Sequence, residues 1–364
     1  MIFLTLLAIP LLIGILTFIL GRHRVTIQEF AIQIGVQLLI TGFSVGIIYY
    51  KNTSDVEIYN GRVTAKQSQR VSCSHSYSCH CRTVTTGTGK NRRTTTRCKT
   101  CYYHPFDMSW VYSTSDNGSN SVSRVDSQGL KEPPRWTAIQ VGEPSSSMHG
   151  YENYIKASPD SLFRKQGLME RYANQLPNYP KVYDYYRIDR VLTVDVAIPN
   201  LKEWNQKLSE LNAKLNPHKQ VNATIVFVKA KDHEYFDALE QRYLGGKKND
   251  VILVVSIDRY NNIMWADVMS WTDNKALHVS LRDAVLDIKA MDFTQPDILL
   301  GAVQSKISEH YAKKSMEDFK YLQSSITPSL TEWIVSMLLG IFAAVGMSFY
   351  FYTNDIHENK QRSF

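Results

Sequence analysis

Gly245-Gly-Lys-Lys-Asn-Asp-Val-Ile-Leu-Val-Val-Ser-Ile-Asp-Arg259 is the stretch from which the fold can be read. A turn of two glycines and two lysines delivers the chain into Val251–Ile257, a run with no charge on either face. A strand that is apolar on both faces belongs at the centre of a sheet covered on both sides. Working outward, Arg190–Ile198 and Ala223–Val228 are further apolar strands, and Ile263–Met269 follows a hairpin turn at Asp258-Arg259-Tyr-Asn-Asn262. Between them, Leu201, Trp204, Leu208, Leu211 and Leu215 recur every three or four residues, the spacing of one helix face. His233–Tyr243, Leu277–Ile288 and Pro296–Tyr311 continue the helical pattern. The order strand, helix, strand, helix, strand, strand, helix, helix predicts an α/β layered domain with a mixed sheet over 189–312.

That order, with the glycine, basic, Asn/Asp and apolar-strand core ending in Asp258-Arg259, resembles the TPM-domain family over roughly Asp189–Tyr311. The family takes its name from thylakoid-lumen, photosystem-repair and receptor-accessory proteins. The resemblance implies a secreted or periplasmic domain with a membrane helix on its C-terminal side. The chain departs from the family pattern at Ile263-Met-Trp-Ala-Asp-Val-Met-Ser270, where the family has a strand leading to a Glu-Val-Gly-rich loop. The phosphatase or calcium-binding role of some members is therefore not carried over.

Hydrophobic residues make up 44% of the 364 and charged residues 21%, near-average values that conceal a segregation along the chain. Met1–Leu20, Ala31–Tyr50 and Trp333–Tyr352 carry no charge. At about 1.5 Å per residue, roughly 20 apolar residues cross a bilayer core of about 30 Å. Three transmembrane helices are expected, two within 1–50 and one at 333–352. A wholly soluble enzyme, a polytopic carrier and a disordered chain are excluded. The short link between the first two carries Arg22, His23 and Arg24, and positive loops stay cytoplasmic. This places the large block between the helices outside the cytoplasm and the tail 353–364 inside.

The remaining chemistry sits in 51–165, expected as a small β-rich unit, and is joined to the α/β domain by a connector at 166–188. All five cysteines fall in a hairpin at 73–101. Thr- and Val-rich strands flank a Gly87-Thr-Gly-Lys-Asn91 turn and bring Cys79 and Cys81 toward Cys98 and Cys101. The layout is zinc-ribbon-like, with four thiolates around one structural Zn²⁺, and Cys73, His75, His80 and His104 are alternate ligands. Two disulfides with one cysteine left over suit an oxidising compartment equally. The block also resembles segments of uncharacterised bacteriophage membrane proteins. From Ile58 to Phe106 there is no acid, but Arg62, Lys66, Arg70, Arg82, Lys90, Arg92, Arg93, Arg97 and Lys99 are all present. The six from Arg82 onward form a candidate anion site, for anionic lipid first and nucleic acid second.

The sequence contains no His-Glu-x-x-His, nucleophile elbow, phosphate-binding glycine loop or dinucleotide fingerprint. Asp258, Asp267 and Asp273, near the ends of two adjacent strands, are the best candidate acids. Oxygen ligands of this kind suit Ca²⁺ or Mg²⁺, and the expectation they carry is a membrane-bound phosphate-ester hydrolase. The first expectation is a membrane-anchored accessory protein with a protein partner at the membrane surface. It is an α+β chain combining the three helices, the cysteine unit and the α/β domain.

Overall fold

A computed structural model describes residues 2–21, 24–87, 89, 92–116, 118–122, 130–158, 167–229 and 232–354. Arg22, His23, Lys90 and most of the tail 353–364 lie outside the described residues. In chain order the elements are α1 (Ile2–Leu20), α2 (Ile27–Thr53), β1 (Ser54–Val71), β2 (Ser76–Thr86), β3 (Arg93–Tyr102), β4 (Asp107–Thr114), β5 (Gly118–Val122) and β6 (Pro144–Glu152). They continue with β7 (Val191–Val194), α3 (Leu201–Lys219), β8 (Asn222–Val228), α4 (Glu234–Tyr243), β9 (Asp250–Ile257), β10 (Ile263–Met269), α5 (Ala276–Leu286), α6 (Pro296–His310) and α7 (Leu330–Thr353). One-turn helices occur at Pro134–Thr137, Tyr154–Ala157 and Leu168–Arg171.

The chain divides into two compact units. The first comprises 1–56, 150–166 and 315–364. Here α1, α2 and α7 pack on one another. Two helices, α2 and α7, are long and apolar enough to cross a membrane, whereas the apolar part of α1, Leu4–Leu20, is shorter. Both long helices open on a capping box, Thr26 with Glu29 and Ser329 with Glu332, so their first amides are satisfied by side chains. On α2, Glu29, Gln33, Gln37 and Thr41 are buried at four-residue intervals, a polar stripe turned into the bundle. The Gln33 amide donates to Ala344 O (3.2 Å) and Ser348 Oγ (2.8 Å), and the hydroxyls of Thr17 and Ser348 lie 2.9 Å apart. Gly340 allows α7 to approach α1: a Cβ there would sit 2.9 Å from Pro10 Cγ. Polar and small residues of this kind are what hold helices together where no hydrophobic drive operates between them.

The second unit comprises 57–149 and 167–314. One of its two four-stranded sheets has the order β10-β9-β8-β7, with β7, β8 and β9 parallel and β10 antiparallel at the edge. The mixed sheet read from the sequence is thus present, with element ends moved by one to four residues. Every residue of β9 is buried. Val251, Leu253, Val255 and Ile257 face the layer of α3, α5 and α6, while Ile252 and Val254 face α4. Leu168, Tyr172 and Leu176, from the segment before β7, complete the cover on the α4 side. The other four-stranded sheet, β5-β4-β1-β6, has its own core of Val63, Trp110, Tyr112, Val122, Ile139 and Tyr186.

A buried polar network ties the two sheets of this unit together. Arg190 is 1% exposed; its Nε donates to Asn222 Oδ1 (2.7 Å) and its Nη2 to Ser146 Oγ (2.7 Å) and to Asn60 Oδ1. Asn222 Nδ2 in turn donates to Asp250 Oδ1 (2.9 Å), and Tyr179 OH to Asp250 Oδ2 (2.8 Å). Burial pulls the Arg190 guanidinium down to about 10, still charged at neutral pH. Burial likewise pushes the Asp250 carboxyl up, against the opposing bonds from Asn222, Lys247 N–H and Tyr179. Asn222 begins an Asn-Ala-Thr sequon but is fully buried between the two charges, so in the folded protein it is no glycan acceptor.

Candidate functional site

The β1–β4 ladder pairs Arg70 with Met108 and Val71 with Asp107, and there it breaks off. Residues 72–75 and 103–106 are outside any strand, after which pairing resumes as β2 with β3, from Ser76↔Tyr102 to Thr86↔Arg93. The result is a two-stranded ribbon continuing beyond the ends of the sheet's two central strands, β1 and β4. Within the ribbon strands only Cys79 and Cys101 are even half-buried; the other residues are exposed on both faces.

Two cross-links brace the ribbon: Cys79–Cys101 (Cα–Cα 5.8 Å) and Cys81–Cys98 (3.9 Å). The four cysteines expected as a thiolate set for zinc are therefore paired as disulfides. The register supplies the reason. Cys79 and Cys81 lie on one strand and Cys98 and Cys101 on the other. Cys79, paired in register with Lys99, stands diagonal to Cys101, and Cys81 meets Cys98 at the break in register before Arg82↔Arg97. Each sulfur thus meets one on the opposite strand rather than converging with its own pair. The unequal spacing, one residue between the first pair and two between the second, is absorbed by an irregularity between Cys79 and Arg82. His80 there takes the left-handed φ of 46°. His80 stands beside Cys79 and Cys101, but those sulfurs are already spent in the disulfide.

Arg82, Arg92, Arg93, Arg97 and Lys99 are all exposed, and none forms an ion pair among the described residues; Lys90 lies outside them. Arg82 faces Arg97 directly across the ladder. Like charges directly opposite destabilise a strand pair. The ribbon thus carries uncompensated positive charge that its own folding does not favour. Around its base, Tyr77, Tyr102 and Tyr103 are 44%, 57% and 66% exposed, with the rings of Tyr77 and Tyr103 4.7 Å apart.

At the joint between sheet and ribbon, Cys73, His75, His104 and Asp107 converge, one ligand-type atom of each lying within 4.8 Å of all the others. Cys73 is the cysteine left unpaired and is buried; Asp107 is fully buried. Cys73 Sγ lies 3.7 Å from His104 Nδ1, and His104 Nδ1 lies 3.2 Å from Asp107 Oδ1. Ser74 N–H donates to Asp107 Oδ2 (3.2 Å). An open cleft of about 430 Å³, lined by Ser72, Cys73, Tyr102, Tyr103, His104 and Pro105, lies alongside. Three of these four groups are among the alternate ligands named from the sequence. Asp107 was missed because it stands one residue past the acid-free block ending at Phe106. The signal was available in the sequence: the pairs Cys73-x-His75 and His104-x2-Asp107 flank the hairpin on its two sides.

The three acids expected as a divalent-cation site are not brought together. β10 runs antiparallel to β9, so Asp258 lies beyond the Ile257/Ile263 end, Asp267 sits in register with Val254, and Asp273 lies beyond the Met269 end. Six strand steps separate those ends, about 20 Å. Each acid has its own partner. Asp258 closes its turn by accepting from Asn262 Nδ2 (2.9 Å), Asn262 N–H (2.9 Å) and Tyr260 N–H (2.7 Å), and these bonds hold its carboxyl below the usual range. Asp267 meets His233 Nε2 at 2.9 Å, and Asp273 meets Lys314 Nζ at 2.5 Å. The expectation that strand ends would gather these acids fails because the hairpin puts the end of β9 and the end of β10 at opposite ends of the sheet.

Searches of protein-family models, of curated proteins and of solved structures return no match to this chain.

Proposed function

We propose that the chain is a membrane-anchored binding protein whose disulfide-braced basic ribbon is its recognition element for a protein partner with an acidic surface. The observation that carries this reading is a rigid ribbon exposed on both faces, bearing Arg82 opposite Arg97 with no acid to neutralise them. Arginine and tyrosine dominate the energetics of protein interfaces, and Tyr77, Tyr102 and Tyr103 stand exposed at the ribbon's base. Two disulfides support an oxidising compartment for this unit, in keeping with the positive link 21–28 on the cytoplasmic side. In this reading α1 crosses the membrane with α2 and α7, the head is extracytoplasmic and the C-terminal tail cytoplasmic. Membership of the TPM-domain family is part of the proposal, supported by the Gly245–Arg259 core and by parallel strands β7 to β9.

The test places a photo-cross-linking residue at Thr96, exposed on the ribbon, in the full chain in its native membrane. The expected result is a discrete cross-linked protein, lost with R82E/R97E and weakened by salt. Cross-linking unaffected by charge reversal overturns the proposal. If the full chain instead binds vesicles containing anionic lipid, or single-stranded nucleic acid, with the same dependence on Arg82 and Arg97 and no protein is cross-linked, the ribbon reads phosphate rather than protein.

A further inference from the structure

We propose that Cys73, His75, His104 and Asp107 form a structural Zn²⁺ site that fixes the ribbon to its sheet. The site is distinct from the four disulfide-bonded cysteines and does not depend on the partner-binding reading.

The donor set comes first. One thiolate, two imidazoles and one carboxylate are the ligand types zinc takes in closed four-coordinate sites. The distances come second. With Zn–S near 2.3 Å and Zn–N and Zn–O near 2.0 Å, a tetrahedral site has S···N edges of about 3.6 Å and N···O edges of about 3.3 Å. The observed Cys73 Sγ···His104 Nδ1 and His104 Nδ1···Asp107 Oδ1 separations are 3.7 and 3.2 Å. The remaining donors are within 4.8 Å and close to bonding distances by side-chain rotation, His75 being exposed and free to swing. Burial is third. Asp107 is a fully buried carboxylate and Cys73 a buried thiol, its sulfur 3.5 Å from His75 O and 3.7 Å from His104 Nδ1. A divalent cation would compensate both groups at once.

The position in the fold is what gives the site a purpose. Cys81–Cys98, Cys79–Cys101 and then the group 73/75 with 104/107 follow one another toward the sheet along the two arms of the hairpin. The third cross-link falls where the strands are interrupted, at 72–75 and 103–106, a joint between ribbon and sheet bridged by the Tyr103 N–H to His75 O bond (3.1 Å). A ribbon exposed on both faces has no core to set its direction, and small elements of this kind rely on cross-links or metals. Cys73 stays out of the disulfides because the other four cysteines are paired with one another, and the side chain its sulfur approaches is His104.

The experiment uses the full-length protein in nanodiscs of zwitterionic lipid, without reductant, and Zn²⁺ or Co²⁺ alone as probe. The expected result is one Zn²⁺ per chain, displaced by a competing chromogenic chelator with a Kd below about 0.1 μM. Co²⁺ should give intense tetrahedral visible bands and a thiolate charge-transfer band that C73S abolishes. H75N alters an exposed residue and leaves the fold intact; it should weaken zinc at least about tenfold, as should D107N. Zinc should also slow alkylation of Cys73 and proteolysis within 72–75 and 103–106. Sub-stoichiometric zinc, or zinc affinity unchanged in both C73S and H75N, overturns the proposal. Partner cross-linking at Thr96 is scored separately, so either reading can fail while the other stands.

Discussion

Asn222→Ala tests the network that holds the two sheets of the larger unit together. Asn222 stands between a buried cation and a buried anion: its oxygen accepts from Arg190 Nε at 2.7 Å and its amide donates to Asp250 Oδ1 at 2.9 Å. Arg190 is 1% exposed and Asp250 fully buried, so no bulk water replaces the lost partner on either side. Hydrogen bonds to charged groups contribute about 1.5–3 kcal/mol each, and losing two predicts a cost of about 3–6 kcal/mol. For a unit of this size, about 2–4 °C per kcal/mol converts this to a fall in Tm of about 6–24 °C. The assay is thermal unfolding of the full chain in detergent, followed by tryptophan fluorescence, with Trp204, Trp265 and Trp271 reporting from this unit. Asn178→Ala serves as control, since Asn178 is exposed and its side-chain oxygen accepts from Arg242 at the surface. Asn222→Asp sharpens the test. It keeps the acceptor for Arg190 but sets a second carboxylate against Asp250, so its deficit should shrink as pH falls and one acid takes a proton. A loss below about 2 °C for Asn222→Ala, or an Asn222→Asp deficit independent of pH, would refute the view that this network holds the sheets together.

Three further outcomes are expected. Thiol titration of the denatured full chain should find one reactive cysteine without reductant and five after reduction, and peptide mapping should recover the Cys79–Cys101 and Cys81–Cys98 links. R82E/R97E should abolish partner cross-linking yet leave Tm within about 2 °C of wild type, because both side chains are exposed and the substitution exchanges one like-charge pair across the ladder for another. Desolvation, followed by the nearby Lys275 charge, holds His278 below its usual value. The unfolded chain therefore takes up the proton first as pH falls below about 6.5, so stability should decline on acidification through that region, and H278Q should flatten the decline measured by Tm between pH 7.5 and 5.

Much of the α/β layer was legible because burial on two faces leaves a local mark. Val251–Ile257 could only be a central strand, and Trp204, Leu208, Leu211 and Leu215 could only share a helix face. Both long apolar helices were equally plain from length and charge. The sites were less so. Asp258, Asp267 and Asp273 looked adjacent in sequence, but strand direction is a property of pairing and not of the strand itself. The antiparallel β10 sends Asp258 and Asp273 to opposite ends of the sheet. Arg190 and Asp250 read as ordinary charged residues at element boundaries; only the meeting of β1, β6, β8 and β9 shows them sharing Asn222 in a buried network. The cysteines showed the same limit: their spacing allowed thiolates on zinc or cross-strand bonds, and the ladder register chose between them.

By itself, then, the sequence determined which segments are apolar, at what period, and where positive charge accumulates, because each of these depends on residues within a few positions of one another. The tertiary structure decided which sulfurs bond, which carboxylates remain apart, and that Cys73, His75, His104 and Asp107 meet at the root of the ribbon. Those outcomes depend on register and strand direction, which are settled by contacts between residues distant in the chain.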